Sequence, residues 1–179
     1  MAENPELLAL YAEAYGEESQ EPAEPAYLNT REHDAYIQGN DGRFRPEDSL
    51  SRAEAVAMLA RLSVDEQGNL LYSGTPGTGG FSDVKRGAWY APYVKWAAAQ
   101  KITAGTSPDT FAPEQQVTRQ QVAVLLYSFA GNYLGKQTDQ RADLSGYSDL
   151  SQASDWAREA LSWAVGTGIM GSSSSDRLT

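Results

Sequence analysis

The chain has 179 residues, of which 41% are hydrophobic and 21% are charged, a balance that is typical of globular proteins. Its formal net charge of −10 would repel nucleic-acid phosphates and anionic lipid, so we expect no nucleic-acid partner and no membrane insertion. Cys is absent and His occurs once, which leaves almost nothing for a thiolate or imidazole site, so we expect no enzyme, no metal and no cofactor.

The first segment, residues 1–29, is predicted to be a short helix followed by an acidic linker. A helix here would place Leu8, Tyr11 and Tyr15 on one face, and the residues behind it are rich in Glu and Pro. The segment lacks the basic start and apolar run of a secretion signal, and no apolar stretch approaches membrane-spanning length. If the native protein is exported, we expect this chain to be a fragment without its signal peptide.

Beyond that segment the sequence repeats itself at a spacing of 66 to 67 residues. Residues 81–84, FSDV, recur as 147–150, YSDL, and Gly39, Gly105 and Gly171 each follow an apolar residue at the same interval. A fixed period of this kind indicates a repeat architecture. We place an abbreviated first unit at 30–65, a complete second unit at 81–131 and a truncated third unit at 147–179.

Each unit is predicted to contain two helices joined by a loop. The first helix carries an apolar stripe, which is Trp89, Tyr93, Trp96 and Ala97 in one copy and Trp156, Ala160, Trp163 and Ala164 in the next. Because a proline is tolerated in the first turn, Pro92 allows this helix to start near Trp89. One helix pair buries too little apolar surface to offset the entropy lost on ordering, so neighbouring units should share a core.

The second helix of each unit should begin at a capping box. Ser51 with Glu54, and Thr118 with Gln121, combine a hydroxyl with a side-chain acceptor three residues later, which satisfies free N–H groups at a helix start. The apolar stripes behind the caps are Ala55, Met58, Leu59 and Leu62 in one copy and Val122, Leu125, Leu126 and Phe129 in the other. The fold class predicted is all-α, built from tandem helix-loop-helix repeats.

The order of these elements resembles the S-layer homology domain of bacterial surface proteins. The motifs FSDV, W, IxxG, FxP and TR carry the resemblance, which covers about residues 30 to 179. It implies three repeats in a pseudo-threefold bundle, with grooves between them that bind secondary cell-wall polysaccharide, often pyruvylated. The implied function is non-covalent anchoring of a surface protein at the cell wall, outside the cell.

The resemblance also supplies candidate binding residues. The family's Thr-Arg-Ala-Glu signature falls on Ser51, Arg52 and Glu54 and, less faithfully, on Thr118 and Arg119. We interpret the two Arg side chains as the main contacts to an anionic group, because a guanidinium at the first turn lies beside free N–H groups and the positive end of the helix dipole.

Three further candidates each have a structural alternative. Gly39 and Gly105 would let a ligand approach bare backbone, or would only provide a positive φ after a helix, as for Gly171. Trp89 would stack on a sugar, as would Trp156, or both would pack in the core. For the Asp of FSDV and YSDL we favour a structural role over sugar contact.

The alternative function is a self-associating scaffold. The chain begins with an abbreviated repeat and ends inside another, so a shared bundle would be completed by exchange of helices between molecules, giving a homo-oligomer.

Overall fold

The computed structural model describes residues 47–65, 69–171 and 177–178. Within these ranges the fold is all-α, as predicted, with four α-helices and no β-strand. The helices are α1 at Arg52–Leu62, α2 at Ala91–Ala99, α3 at Arg119–Ser128 and α4 at Asp155–Gly166. A π-helical turn, Phe129–Tyr133, continues α3, and a 3-10 turn, Leu150–Gln152, precedes α4.

Several of the predicted elements lie outside the described residues. The predicted N-terminal helix and linker lie outside the described residues, as do most of the first unit before α1 and part of the third unit. The pseudo-threefold arrangement therefore stays a prediction. Among the helices of the described ranges, none is long and apolar enough to cross a membrane.

Both predicted capping boxes are present. At the start of α1, Ser51 Oγ accepts a hydrogen bond from Glu54 N at 3.2 Å, and Glu54 Oε2 accepts one from Ser51 N at 2.8 Å. Thr118 and Gln121 make the same exchange before α3, at 3.3 Å and 3.1 Å. Each box satisfies N–H groups that have no partner inside the helix, which fixes the first residues of α1 and α3.

The two first-helix stripes were predicted partly wrongly. Because α2 begins only at Ala91, with Pro92 in its first turn, Trp89 lies before the helix and is 55% exposed. Trp156 lies inside α4 but is 59% exposed, since the buried face of that helix begins one residue later, at Ala157. The core interpretation of Trp89 and Trp156 is therefore wrong, whereas their stripe partners Trp96 and Trp163 are buried.

The stripe predicted for α1 also needs a correction. Leu59 is buried as expected, but Leu62 is exposed and the deepest residues of the helix include Val56 and Ala60. Leu62 is the last residue of α1, and the chain turns away there, with Ser63 Oγ donating back to Ala60 O at 2.5 Å. The last residue of α1 thus contributes less to the core than the sequence pattern indicates, although Leu59 and Ala60 of the same turn are buried.

Two clusters of buried side chains form the core, and α3 contributes to both. Leu125 of α3, and Phe129 of the π-helical turn that continues it, belong to the cluster that contains α1 and α2. Ala123, on another face of the same helix, belongs to the cluster that contains α4 and Leu178. Consecutive units therefore share their apolar surface, as expected for repeats that cannot each fill a core alone.

The loop after α2 is held by an acidic and a basic side chain that come from opposite directions. Asp83 accepts hydrogen bonds from Phe111 N at 2.9 Å and from Ala112 N at 2.6 Å. Arg52 Nε donates to Phe111 O at 2.8 Å. Both polar backbone groups of a fully buried residue are thus satisfied by charged side chains. We call this arrangement the Asp–Arg clamp.

A second Asp–Arg clamp lies at the end of the described chain. Asp149 accepts a hydrogen bond from Leu178 N at 2.7 Å, and Arg119 Nε donates to Leu178 O at 2.9 Å. In both clamps the Asp lies in the same repeat as the clamped residue, and the Arg lies in the preceding repeat. The structural interpretation of Asp83 and Asp149 is thereby confirmed, and the clamps tie consecutive repeats together.

We expect Asp83→Ala to lower the free energy of unfolding by about 2–3 kcal/mol, because two N–H groups lose a charged acceptor. Asp83→Asn, which keeps one acceptor oxygen, should lose less. Urea unfolding followed by circular dichroism measures both. Asp139→Ala, which removes an exposed carboxylate, is the control and should change stability by less than about 0.5 kcal/mol. Equal midpoints for Asp83→Ala and the control would contradict this role.

Candidate functional site

A groove of about 780 Å³ is the candidate site. Its walls come from distant parts of the sequence. Arg52 at the start of α1 forms one part, residues 101–106 after α2 form another, and Trp156 of α4 a third, with one face of α3 between them. The groove therefore exists only when the helices of successive repeats are packed together.

The charge of the groove is opposite to that of the chain. Its lining includes Arg52 and Lys101, and no Asp or Glu is found among the described residues that form it. The whole chain carries 24 acidic against 14 basic residues, so the charged side chains of the lining have the opposite sign to the net charge. The aromatic side chain of the lining that is most exposed is Trp156. These features suit a ligand that combines negative charge with a flat apolar face.

Arg52 serves both the clamp and the groove. Its side chain is only 5% exposed, and its guanidinium carbon lies 4.9 Å from the centre of the Phe111 ring. Burial lowers the pKa of the Arg52 guanidinium, an effect that nearby Asp83 opposes, and an arginine remains charged under all ordinary conditions. Within the described ranges its hydrogen bonding uses Nε, so the terminal nitrogens remain for a ligand.

Arg119 is placed differently. Besides the clamp bond from Nε to Leu178 O, its Nη2 donates to Gly171 O, and the side chain is absent from the groove lining. The structure therefore does not bring Arg52 and Arg119 to one surface. Contact with an anionic ligand stays a prediction for both residues.

Gly105 lines the groove and is required there by the backbone. Its φ is +83°, and a Cβ would lie 2.5 Å from Thr110 O and 2.8 Å from Ser107 O. The positive-φ alternative is thus correct for Gly105, without excluding ligand approach. It is wrong for Gly171, since the positive φ after α4 belongs to Gly168, at +75°. Gly39 lies outside the described residues.

The other predicted site residues lie away from the groove lining. Ser51, Glu54 and Thr118 act in the capping boxes, where their polar atoms are already hydrogen-bonded. Trp89 presents its exposed indole elsewhere and makes edge contacts with Tyr90 and with the neighbouring turn of α2. None of these four positions is tested as a ligand contact by the structure.

Two lining residues were not among the predicted contacts. Lys101 was not considered at all, whereas Trp156 was considered with Trp89 for stacking on a sugar, although only Trp89 was retained as a predicted contact. A signal for Lys101 exists in the repeat itself, because it lies two residues after the last residue of α2, where Gly168 follows α4. A lysine at a position where the next repeat has Gly therefore indicates a residue with a role beyond the fold.

A family model described as S-layer homology domain matches residues 32–56 and 80–123. The second match contains Asp83, the groove loop and the first half of α3, and the first match ends within α1. These matched residues belong to the S-layer homology family.

Three relatives of this chain have the names of surface or anchoring proteins. The Surface-layer 125 kDa protein of Lysinibacillus sphaericus is 31% identical over 75% of this chain and 10% of the relative. Cell surface glycoprotein 1 of Acetivibrio thermocellus is 31% identical over 73% of the chain and 6% of the relative. The Cellulosome-anchoring protein of the same organism is 29% identical over 82% and 32%. The chain therefore spans less than a third of each of these relatives.

We expect Arg52→Ala to lower the free energy of unfolding by about 2–3 kcal/mol, since a hydrogen bond from a charged donor and the packing on Phe111 are both lost. Arg52→Lys should recover only part of this, because an ammonium cannot reproduce the planar guanidinium contact. The control is Arg158→Ala, which removes an exposed side chain paired with Asp155 at 3.1 Å and should cost less than about 1 kcal/mol. Thermal and urea unfolding measure all three, and a wild-type midpoint for Arg52→Ala would contradict the clamp.

Proposed function

We propose that this chain anchors a surface protein to the bacterial cell wall by binding an anionic wall polysaccharide in the groove. The observation that carries the proposal is the positively charged, acid-free lining beside the exposed indole of Trp156. Guanidinium and ammonium groups bind carboxylates, and an indole offers a flat apolar surface to a sugar ring. The names of the relatives support the anchoring role.

The ligand we propose is secondary cell-wall polysaccharide that carries ketal-linked pyruvate, which the family resemblance implies. A chain of net charge −10 gains nothing from long-range attraction to an anionic polymer. Affinity must therefore come from short-range contacts in a partly desolvated site, where charge complementarity also provides specificity. A single carboxylate on a sugar ring would match a compact cationic site next to an aromatic side chain.

The remaining assignments are part of the same proposal. Arg52 and Gly105 are the predicted contacts that line the described groove, and Trp89, in the second unit, and Gly39, in the first, stay predicted contacts. The repeats keep their boundaries at 30–65, 81–131 and 147–179, the domain acts at the cell surface, and we assign it no catalytic role. No contact among the described residues favours a self-associating scaffold, so we do not propose one.

The test is co-sedimentation with purified cell-wall sacculi. We expect Trp156→Ala to weaken binding about tenfold, equivalent to ~1.4 kcal/mol, because a central aromatic contact is removed. Its fold should persist, since the side chain is mostly exposed. Leu71→Ala is the matched control, because Leu71 is also a large exposed apolar residue but is not part of the groove lining.

Sacculi stripped of their secondary polysaccharide supply the other arm. The wild-type chain should sediment with intact sacculi and stay in solution with stripped ones. Equal sedimentation with both would overturn the polysaccharide as ligand. Equal binding by Trp156→Ala and Leu71→Ala would instead move the binding surface away from this groove.

A further inference from the structure

The backbone of Lys101 is strained at the mouth of the groove. Its φ is 56°, in the left-handed region, at the second position after the last residue of α2. Gly168 has the same place after α4, with a φ of 75°. Glycine adopts this conformation freely, whereas other residues lose stability in it. At equivalent positions, the end of α4 thus has a glycine, which suits this conformation, and the end of α2 has a lysine, which does not.

The surrounding contacts hold this strained backbone in place. Lys101 N donates to Ala98 O at 3.0 Å, and the next N–H, of fully buried Ile102, donates to Ala97 O at 2.8 Å. On the other side, Lys101 O accepts a hydrogen bond from Asn132 Nδ2 at 2.8 Å. The conformation is therefore imposed by the fold, and a lysine at this position is not needed to produce it.

The side chain of Lys101 makes no polar interaction in the described residues that would offset the unfavourable backbone conformation. It is exposed, and within residues 47–65, 69–171 and 177–178 its Nζ has no hydrogen bond or ion pair. Arg52, the other cation of the groove, is buried and committed through Nε to Phe111 O. Lys101 is thus the cation of the lining whose donors are all available to a ligand. Residues in unfavourable backbone conformations are concentrated at functional sites.

We infer that Lys101 is a specificity-determining residue, whose ammonium contacts the negatively charged group of the saccharide. The inference rests on the proposed function and makes it more specific. Arg52 mainly positions the groove loop through the clamp, and Lys101 distinguishes a charged saccharide from an uncharged one. The lysine is retained at a helix end where glycine would be more stable, because a glycine would leave the groove without this contact.

Three substitutions at one position separate binding from folding. Lys101→Gly should raise the melting temperature by about 2–4 °C, as expected from relief of a left-handed residue in a chain of this size, while weakening binding about tenfold. Lys101→Ala should weaken binding equally without raising the melting temperature, because alanine keeps the strain. Lys101→Arg should retain most of the binding. Lys85→Ala, which removes a cation outside the groove lining, should behave as wild type.

Binding is measured by calorimetry with purified wall polysaccharide, native and after reduction of its carboxyl groups. We expect the Lys101 variants to differ from wild type with the native polymer and to match it with the reduced polymer. If Lys101→Gly and Lys101→Ala bind the native polymer as tightly as wild type, the inference is overturned. Wild-type binding in the same experiment would still support the proposed function. Equal losses on both polymers, or a similar loss in Lys85→Ala, would also overturn it. No wild-type binding to either polymer would overturn both.

Discussion

The Asp–Arg clamp is the interaction on which the geometry of the groove depends. Phe111 is fully buried in a loop that has no strand partner. Its N–H and C=O groups therefore lose their hydrogen bonds to water and have no β-sheet hydrogen bonds in their place. Asp83 and Arg52 supply the missing acceptor and donor. Because Arg52 comes from the preceding repeat, the same bonds that satisfy the loop also determine where it lies relative to α1. The groove wall is thereby set by a contact between repeats.

In the proposed function, stability and recognition use the same residues in different ways. Arg52 contributes to both, since its Nε is bound to the loop and the rest of its guanidinium lines the groove. In the inference above, Lys101 favours ligand binding at the expense of stability, because its backbone conformation is unfavourable and its Nζ has no hydrogen bond or ion pair in the described part of the chain. Of the two non-Gly residues with a positive φ in the described ranges, Lys101 and Ala112, Lys101 is the one that carries a charge and lines the groove. Trade-offs of this kind are common at binding sites.

Local patterns were the most predictable part of the structure. The capping boxes of Ser51 and Thr118 depend on residues three positions apart, so the sequence alone determines them. The exposure of Trp156 was not predictable from its stripe, because the neighbouring Ala157 satisfies the same period one residue out of phase. The shared core could be expected from the repeat, but which face of α3 meets which neighbour could not.

Contacts across long sequence separations escaped prediction for a physical reason. Arg52 and Phe111 are 59 residues apart, as are Arg119 and Leu178, and neither pair has a local signal. Predicting them requires the packing of one repeat on the next. The repeat period did contain one unused signal, since the two clamps are copies of each other and one helix end has Lys101 where the other has Gly168.

The sharing of α3 between two cores has a consequence for transplanting this anchor. The boundaries of one sequence repeat do not coincide with the boundaries of the segment that forms one groove. That piece needs Ser51 and Arg52 at its beginning, the loop and α3 in its middle, and α4 with Trp156 at its end. A fusion tag trimmed to one sequence unit would contain the groove loop without the Arg that donates to it, and α3 with one apolar face exposed. The smallest transferable segment is therefore longer than one repeat.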